Sequence, residues 1–182
     1  FLSPAADDER SLTPARLKAM QLILSIFEIL KDDIPQSIAR YDDTFNSNCV
    51  GDSFTSQGIP TLLFEAGHYE LDYNRDFTKK MILKAMIVAL NSISNDQYLN
   101  QSVEQYELIP KNKKDYVDLI IRNVEIRTYK GIFKNQELAL QYKEEKKGDA
   151  ILFTPICHSF SEKLDLLAHR VLDANELIDF KE

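Results

Sequence analysis

A continuous apolar run over residues 59–64 ends directly on the carboxylate of Glu65. Continuous runs, as opposed to alternating ones, are typical of strands that are covered on both faces, as in the parallel sheets of α/β proteins. Because ligands of such sheets bind beyond the carboxyl ends of the strands, the run predicts that Glu65 points toward a cleft. Partial burial there would suit the carboxylate to act as a general base. The plainer alternative is that Glu65 caps a loop or pairs with Arg75.

Amphipathic helices are predicted on both sides of this run. Thr13 and Pro14 are a typical N-cap and first helical residue, and apolar residues at helical spacing extend the first helix to about residue 31. Asp76 is predicted to cap a second helix, in which apolar residues repeat at helical spacing as far as Ile93. Helix, strand and helix in this order predict an α/β organisation.

The pattern changes after about residue 97. Apolar and polar residues alternate over 116–128, and two further strands are predicted over 138–142 and 150–154, separated by a polar turn over 143–149. One or two more strands are expected within 168–180. The sequence therefore predicts three segments: an α/β part over residues 1–97, a linker over 98–109, and a small, mostly antiparallel β domain over 110–182.

Charge and cysteine content narrow the classes of function. The net charge of the 182 residues is −7, so no field of Lys and Arg is available for phosphates, and neither nucleic acid nor a membrane is expected as a partner. The two cysteines, Cys49 and Cys157, are far apart and do not provide a disulfide framework. These features predict a cytoplasmic protein. The chain begins at Phe1 instead of Met, and we expect a fragment of a longer protein.

The loop before the apolar run carries further candidate residues. Residues 42–58 are rich in Asp, Asn, Ser and Gly, and loops of this length are frequently functional. Asp52 either shapes a pocket that reads a basic or polar side chain or hydrogen-bonds its own loop, and we favour the second interpretation because it is the commoner role of Asp beside Gly. Cys49 has no local base that would activate it, so we interpret it as a packed small residue.

Two side chains after Glu65 also have alternative interpretations. His68 completes a Glu-x-x-His spacing, which on a helix would be a plausible pair of metal ligands. Gly67 and the strand context disfavour a helix, so we interpret His68 as a residue at the rim of the cleft, with substrate contact as the alternative. Arg75 either pairs with Asp72 or Asp76 or anchors the loop around Glu65.

Three segments together resemble the zinc carboxypeptidase family. Gly58-Ile-Pro-Thr-Leu-Leu-Phe-Glu65-Ala-Gly-His-Tyr69 is similar to the family's hydrophobic strand and catalytic glutamate, and Asn48-Cys-Val-Gly-Asp52-Ser-Phe54 resembles its substrate-pocket loop. The segment Asp72-Tyr-Asn-Arg75 and the helix after it resemble a bacterial branch of the family. The resemblance covers roughly residues 1–95. It implies the C-terminal part of a carboxypeptidase-like parallel or mixed sheet with helices, followed by a β extension.

The resemblance implies that Glu65 activates a zinc-bound water as general base and then shuttles its proton. The family's zinc ligands, a His-x-x-Glu pair and a later His, lie N-terminal to the segments present here, and no His precedes His68. Because a catalytic zinc site needs three protein ligands, we expect zinc in the full-length protein and none at this site in the fragment alone. The family's substrate-binding tyrosine has no direct counterpart: Phe45 stands near its place, and Tyr41 is the nearest phenol.

Two hypotheses of function follow. The first is a fragment of a zinc-dependent metallocarboxypeptidase that hydrolyses C-terminal residues from peptides, with Glu65 as the general base and with Asp52, Tyr41 and His68 as candidate substrate contacts. Its partners would be the peptide substrate and the missing N-terminal half of the same protein, and the fragment alone would be inactive. The alternative is a non-catalytic carboxypeptidase-like scaffold whose β domain mediates interactions, including self-association.

Overall fold

The computed structural model describes residues 1–69 and 72–175, which form two compact units. The first unit consists of Phe1–Tyr69 and Arg75–Lys113, and the second of residues 72–74 and 114–175. In the described residues, helices occupy the first unit and a four-stranded sheet occupies the second, so the predicted α/β class is confirmed at that level. The elements are α1 Pro14–Leu30, α2 Val50–Ser56, α3 Asp76–Ser94, the 3-10 helices Gln97–Asn100 and Val103–Leu108, β1 Tyr116–Thr128, β2 Gly131–Lys147, β3 Ala150–Ser161 and β4 Leu167–Asp173.

Helix α1 forms the centre of the first unit and confirms the first predicted helix. It begins as the sequence predicts, with Pro14 at the first helical position and the Thr13 hydroxyl accepting a hydrogen bond from the Arg16 backbone N–H at 3.3 Å. Its apolar residues lie at the heart of a core that also receives side chains from α3 and from the second 3-10 helix. The most completely buried large side chains of α1 are Ile23, Leu24, Ile26 and Leu30.

Helix α3 confirms the second predicted helix, and packs against α1 with its small residues. Ala85, Ala89 and Ser92 are its buried positions. Small side chains allow two helix backbones to approach closely, so this face of α3 is suited to packing against α1. The larger apolar residues of α3 on its other sides remain at least half exposed: Leu83, Met86, Ile87, Leu90 and Ile93.

The prediction of a strand covered on both faces at residues 59–64 is wrong for the structure of this chain. In the described residues, its only ladder contact is an isolated antiparallel bridge between Leu63 and Leu2. Pro60 has no N–H to offer a neighbouring strand. None of residues 59–64 is buried. An apolar run forms a sheet strand only where neighbouring strands pair with it, and Leu2 provides a single residue for that purpose.

Residues 98–109, predicted as a linker, lie within the first unit. Tyr106 and Ile109 are buried in the same core as α1. The Tyr106 hydroxyl accepts a hydrogen bond from the backbone N–H of Ser3 at 3.2 Å, and the Arg40 guanidinium lies 5.2 Å from the centre of the Tyr106 ring. A parallel bridge between Arg40 and Lys111 joins the chain just after this segment to the chain before α2.

The second unit is a mixed sheet with strand order β3-β2-β1-β4. The β1–β2 and β2–β3 pairs are antiparallel and the β1–β4 pair is parallel, which agrees with the predicted, mostly antiparallel sheet. Strand β1 has the bounds that alternation predicted. Strand β4 begins one residue before the predicted region 168–180, of which residues 176–180 lie outside the described residues. A small core is formed by Val117, Ile120 and Ala139.

The polar turn predicted over 143–149 is mostly strand. Strand β2 continues to Lys147, and its charged residues pair with apolar ones of β3, as in Lys146 with Ile151 and Glu144 with Phe153. The actual turn contains two residues and begins at Gly148, whose φ of 64° suits the first position of a two-residue hairpin. Both strands are exposed along this stretch, so charged side chains are compatible with strand structure.

Candidate functional site

The segment before Glu65 is fixed by contacts with the first residues of the chain. Leu2 and Leu63 exchange two backbone hydrogen bonds, at 3.0 Å from Leu2 N–H to Leu63 O and at 2.9 Å in the reverse direction. The rings of Phe1 and Phe64 meet edge to face with centroids 5.2 Å apart. The backbone is therefore anchored two residues before Glu65, although no sheet forms around it.

Glu65 itself is exposed, so the expected partial burial of its carboxylate is wrong. Burial lowers the pKa of the Phe1 α-amino group, and the charge of Glu65 acts in the opposite direction, which places the carboxylate near that amino group. An exposed carboxylate is accessible to water and to a ligand, but it lacks the apolar surroundings that a cleft would have provided.

Arg75 anchors the turn that follows Glu65. Its Nη1 donates a hydrogen bond to the Ala66 carbonyl at 2.8 Å, and its Nη2 lies 3.5 Å from Nδ1 of His68. Of the two sequence interpretations of Arg75, anchoring the loop around Glu65 is therefore confirmed. Arg75 is also the N-cap residue of α3, where it adopts a left-handed backbone with φ 59°. The prediction that Asp76 caps this helix is therefore wrong, since Asp76 is its first residue.

Asp52 hydrogen-bonds its own loop, which confirms the favoured interpretation of this residue. It lies in the first turn of α2, and its Oδ2 accepts a hydrogen bond from the backbone N–H of Asn46 at 2.7 Å. Only 5% of Asp52 is exposed. The carboxylate therefore holds the loop that leads into α2.

The remaining candidates are accessible but do not converge on Glu65. Tyr41 is partly exposed, and its backbone N–H donates to the Phe1 carbonyl at 3.0 Å. His68 is exposed at the turn held by Arg75. In the described residues, no hydrogen bond or ion pair links Glu65 with Tyr41 or Asp52. The structure therefore gathers Glu65, His68 and Arg75 in one segment and leaves Asp52 in another.

A shallow depression of about 250 Å³ lies beside the start of α2. Cys49, the N-cap residue of α2, is part of its wall, and the described residues that line it do not include Glu65. The lining residues are Ser47, Asn48, Cys49, Val50, Ser53 and Phe54. No base adjoins the thiol among these side chains, so the depression has no nucleophilic pair.

The donor set of the described residues does not fit a zinc site. No three His, Cys, Asp or Glu side chains within residues 1–69 and 72–175 lie close enough together to hold a metal ion. His169 packs its ring against Tyr116, with centroids 4.9 Å apart, and His158 lies beside the Ser159 hydroxyl at 3.2 Å. Both histidines belong to the second unit, away in sequence from the Glu65 segment.

Sequence reasoning missed the buried guanidinium of Arg16. This side chain, which is 4% exposed, donates to the Arg10 carbonyl and to Asp43, and Arg10 forms a second ion pair with Asp43 at 3.3 Å. Two guanidinium groups thus share one carboxylate and tie the loop after Tyr41 to the first turn of α1. An Arg two residues after the helical Pro14 gives no indication of burial, because long basic side chains in first turns usually extend into solvent.

Comparison of the chain with protein families, with curated proteins and with solved structures gave no match in any of the three. Over the part of the chain that the structure describes, no helix combines the length and apolar character that crossing a bilayer requires.

Proposed function

We propose that this chain is part of a zinc-dependent metallocarboxypeptidase, in which Glu65 is the general base. The observation that supports the proposal is an accessible carboxylate on a backbone fixed at both sides. The Leu2–Leu63 bridge holds the chain before Glu65, and Arg75 holds the Ala66 carbonyl directly after it. Residues 58–69 resemble the catalytic segment of zinc carboxypeptidases, and because of this resemblance we assign the role of general base to the carboxylate.

The chemistry assigned to the chain is proton transfer. The Glu65 carboxylate accepts a proton from the water that attacks the last peptide carbonyl and returns it to the departing amine. Since the described residues do not fit a zinc site, the proposal places the metal ligands in the N-terminal half of a longer cytoplasmic protein. It also assigns residues 1–97 to a carboxypeptidase-like α/β domain that the other half completes. Tyr41 and His68 remain candidate contacts for the peptide, and Asp52 would support the pocket loop.

The test is to compare Glu65→Gln with the parent in the full-length zinc-loaded protein, by measuring release of C-terminal residues from peptides. We expect activity to fall by about 10²–10⁴-fold, the usual contribution of a general base. Zinc content and thermal stability should stay unchanged because the side chain is exposed. Glu104→Gln, at another exposed carboxylate, is the matched control and should retain activity.

Full activity in Glu65→Gln would overturn the assignment of the base. An upstream sequence without a His-x-x-Glu pair and a later His would overturn the metallopeptidase proposal as a whole.

The second candidate function is a non-catalytic scaffold with a β interaction domain, which self-associates through β3. Strand β3 lies at the edge of the sheet and exposes Ile151, Leu152, Phe153 and Ile156. Exposed apolar edge strands are typical sites of pairing between chains. Sedimentation of the chain should then show a dimer that Phe153→Lys dissociates, whereas Ile132→Lys, on an exposed residue of β2, should preserve it. A concentration-independent monomer would contradict this alternative.

A further inference from the structure

Arg75 contacts one backbone group and one side chain in the turn that follows Glu65. One guanidinium nitrogen donates to the Ala66 carbonyl at 2.8 Å, and the other lies 3.5 Å from the ring nitrogen Nδ1 of His68. The planar guanidinium holds its donors in a fixed arrangement, so one side chain can span a turn that two separate donors would otherwise have to hold. The turn over 66–68 is therefore tied to the start of α3.

The backbone conformation of Arg75 is a second, independent observation that this position is constrained. Its φ of 59° and ψ of 27° lie in the left-handed region, at the N-cap of α3. A residue with a Cβ pays a free-energy cost in this region that Gly does not. Strained backbone of this kind persists where the surrounding structure fixes it, and it concentrates at functional sites. The side chain of Arg75 offsets this free-energy cost through its contacts with the Ala66 carbonyl and the His68 ring.

We infer that Arg75 is the positioning residue for Glu65. The inference rests on the proposed function for its catalytic meaning, but its structural part stands on the contacts alone. The Ala66 carbonyl lies in the Ala66–Gly67 peptide unit, so the hydrogen bond from Arg75 fixes the chain one residue after Glu65 and limits how the backbone at Glu65 can reorient. Together with the Leu2–Leu63 bridge on the other side, the contact holds the backbone from which the exposed Glu65 side chain extends. Arg75 acts through the backbone and does not take part in proton transfer.

The first experiment uses the 182-residue chain and measures the order of the turn. Arg75→Gly removes the clamp and relieves the left-handed backbone at the same time, so thermal stability should hardly change. The amide order parameters of Gly67 and His68 should fall from the value of rigid backbone, about 0.85, to below about 0.6. Arg75→Lys keeps one donor for the Ala66 carbonyl and should give an intermediate value. Lys79→Gln, in the same first turn of α3 and ion-paired with Asp76, is the control and should leave the turn rigid.

A second readout applies to the full-length enzyme. Arg75→Gly should lower kcat by about tenfold to a hundredfold with little change in KM, because misplacement of a catalytic group by about 1 Å has effects of this size. Arg75→Lys should recover part of the loss.

The two proposals fail in different ways. If Arg75→Gly leaves both the order parameters and kcat unchanged, the positioning role of Arg75 is overturned while Glu65 can still be the base. If Glu65→Gln retains full activity, the proposed function is overturned, whereas loss of order in Arg75→Gly would still support the structural clamp.

Discussion

Helices α1 and α3 have similar apolar periodicity but very different surroundings. Both are long and carry apolar residues at helical spacing. Ten of the 17 residues of α1 are buried, whereas only three of the 19 residues of α3 are, namely Ala85, Ala89 and Ser92. The difference lies in the neighbours. Helix α1 contacts α3 and both 3-10 helices, whereas the apolar residues of α3 that are larger than alanine are at most partly buried.

The formation of a helix and the burial of its apolar face are separate properties, although the same sequence pattern is used to predict both. Apolar periodicity predicts that a helix forms and which face could be buried. It does not predict which part of that face is buried, because this depends on the size of the side chains and on the elements available. In α3, small residues contact α1, and Leu83, Met86 and Leu90 face outward. The contribution of a residue to stability should therefore follow its surroundings and not its hydrophobicity.

The strongest test of the comparison is the same truncation in both helices. Ile23 in α1 is fully buried, and Ile87 in α3 is 50% exposed. We expect Ile23→Ala to lower the free energy of unfolding by about 2–5 kcal/mol, because the lost burial is accompanied by a cavity. Ile87→Ala should cost less than about 1 kcal/mol. Since the chain contains no Trp, denaturant unfolding is best followed by far-ultraviolet circular dichroism. Equal losses would show that α3 is covered as completely as α1 in solution.

The interface between the two helices should reject larger side chains. Ala85 is fully buried, and a leucine there has no space without displacement of its neighbours. We expect Ala85→Leu to destabilise the protein by about 1–3 kcal/mol, the usual cost of overpacking. Asn91→Leu, at an exposed position of the same helix, should be close to neutral. If both leucines are tolerated in thermal unfolding, the close packing of α3 on α1 is wrong.

The core around α1 is also expected to be sensitive to alkaline pH through Tyr106. Burial raises the pKa of the Tyr106 hydroxyl. The folded state therefore keeps the proton longer than the unfolded state, so this contribution to stability is complete below about pH 10 and is lost as the pH rises further. Tyr106→Phe should flatten the loss above pH 10. It should also cost about 1–2 kcal/mol at neutral pH, because the buried Ser3 N–H loses its acceptor.

The control for this prediction is Tyr129→Phe, at a tyrosine that is 94% exposed. It should leave the unfolding free energy unchanged at neutral pH and preserve the alkaline loss. An alkaline loss of the same size in Tyr106→Phe would mean that other groups cause it.

The smallest effect is expected on the outer face of α3. Leu90 is 67% exposed, and Leu90→Gln should change the unfolding free energy by no more than about 0.5 kcal/mol. The same change at Leu24, which is 1% exposed, should prevent stable folding of the first unit. A cost above about 1.5 kcal/mol for Leu90→Gln, increasing with protein concentration, would indicate that a second copy covers this face.

Much of the local structure could be predicted from the sequence because its causes are local. The start of α1 follows from the Thr13 hydroxyl and from Pro14, and the bounds of β1 follow from alternation. The length of β2 could not be predicted, since its charged end pairs with apolar residues of β3 that are near only after the hairpin closes. The apolar run over 59–64 was misread for the same reason: a strand exists only with its partners.

In the candidate site, too, some features could be predicted from the sequence and others could not. Glu65, His68 and Arg75 were all identifiable from the sequence, which also allowed Arg75 to anchor the loop around Glu65, although it did not indicate the Ala66 carbonyl as the partner. The exposure of Glu65 and the left-handed backbone of Arg75 were not predictable, because both depend on how the turn meets α3. The ion pairs of Arg16 and Arg10 with Asp43 likewise join residues from distant parts of the chain.

The sequence by itself determined where helices α1 and α3 and strand β1 form, because caps and periodicity act over a few residues. It also determined that a carboxylate ends the apolar run before Gly67. Only the tertiary structure decided that α1 is enclosed while α3 is half open, and that Glu65 stands in solvent between the Leu63 bridge and the Arg75 contact. Burial and hydrogen-bond partners are properties of neighbours, and the neighbours are set by the folding of the whole chain.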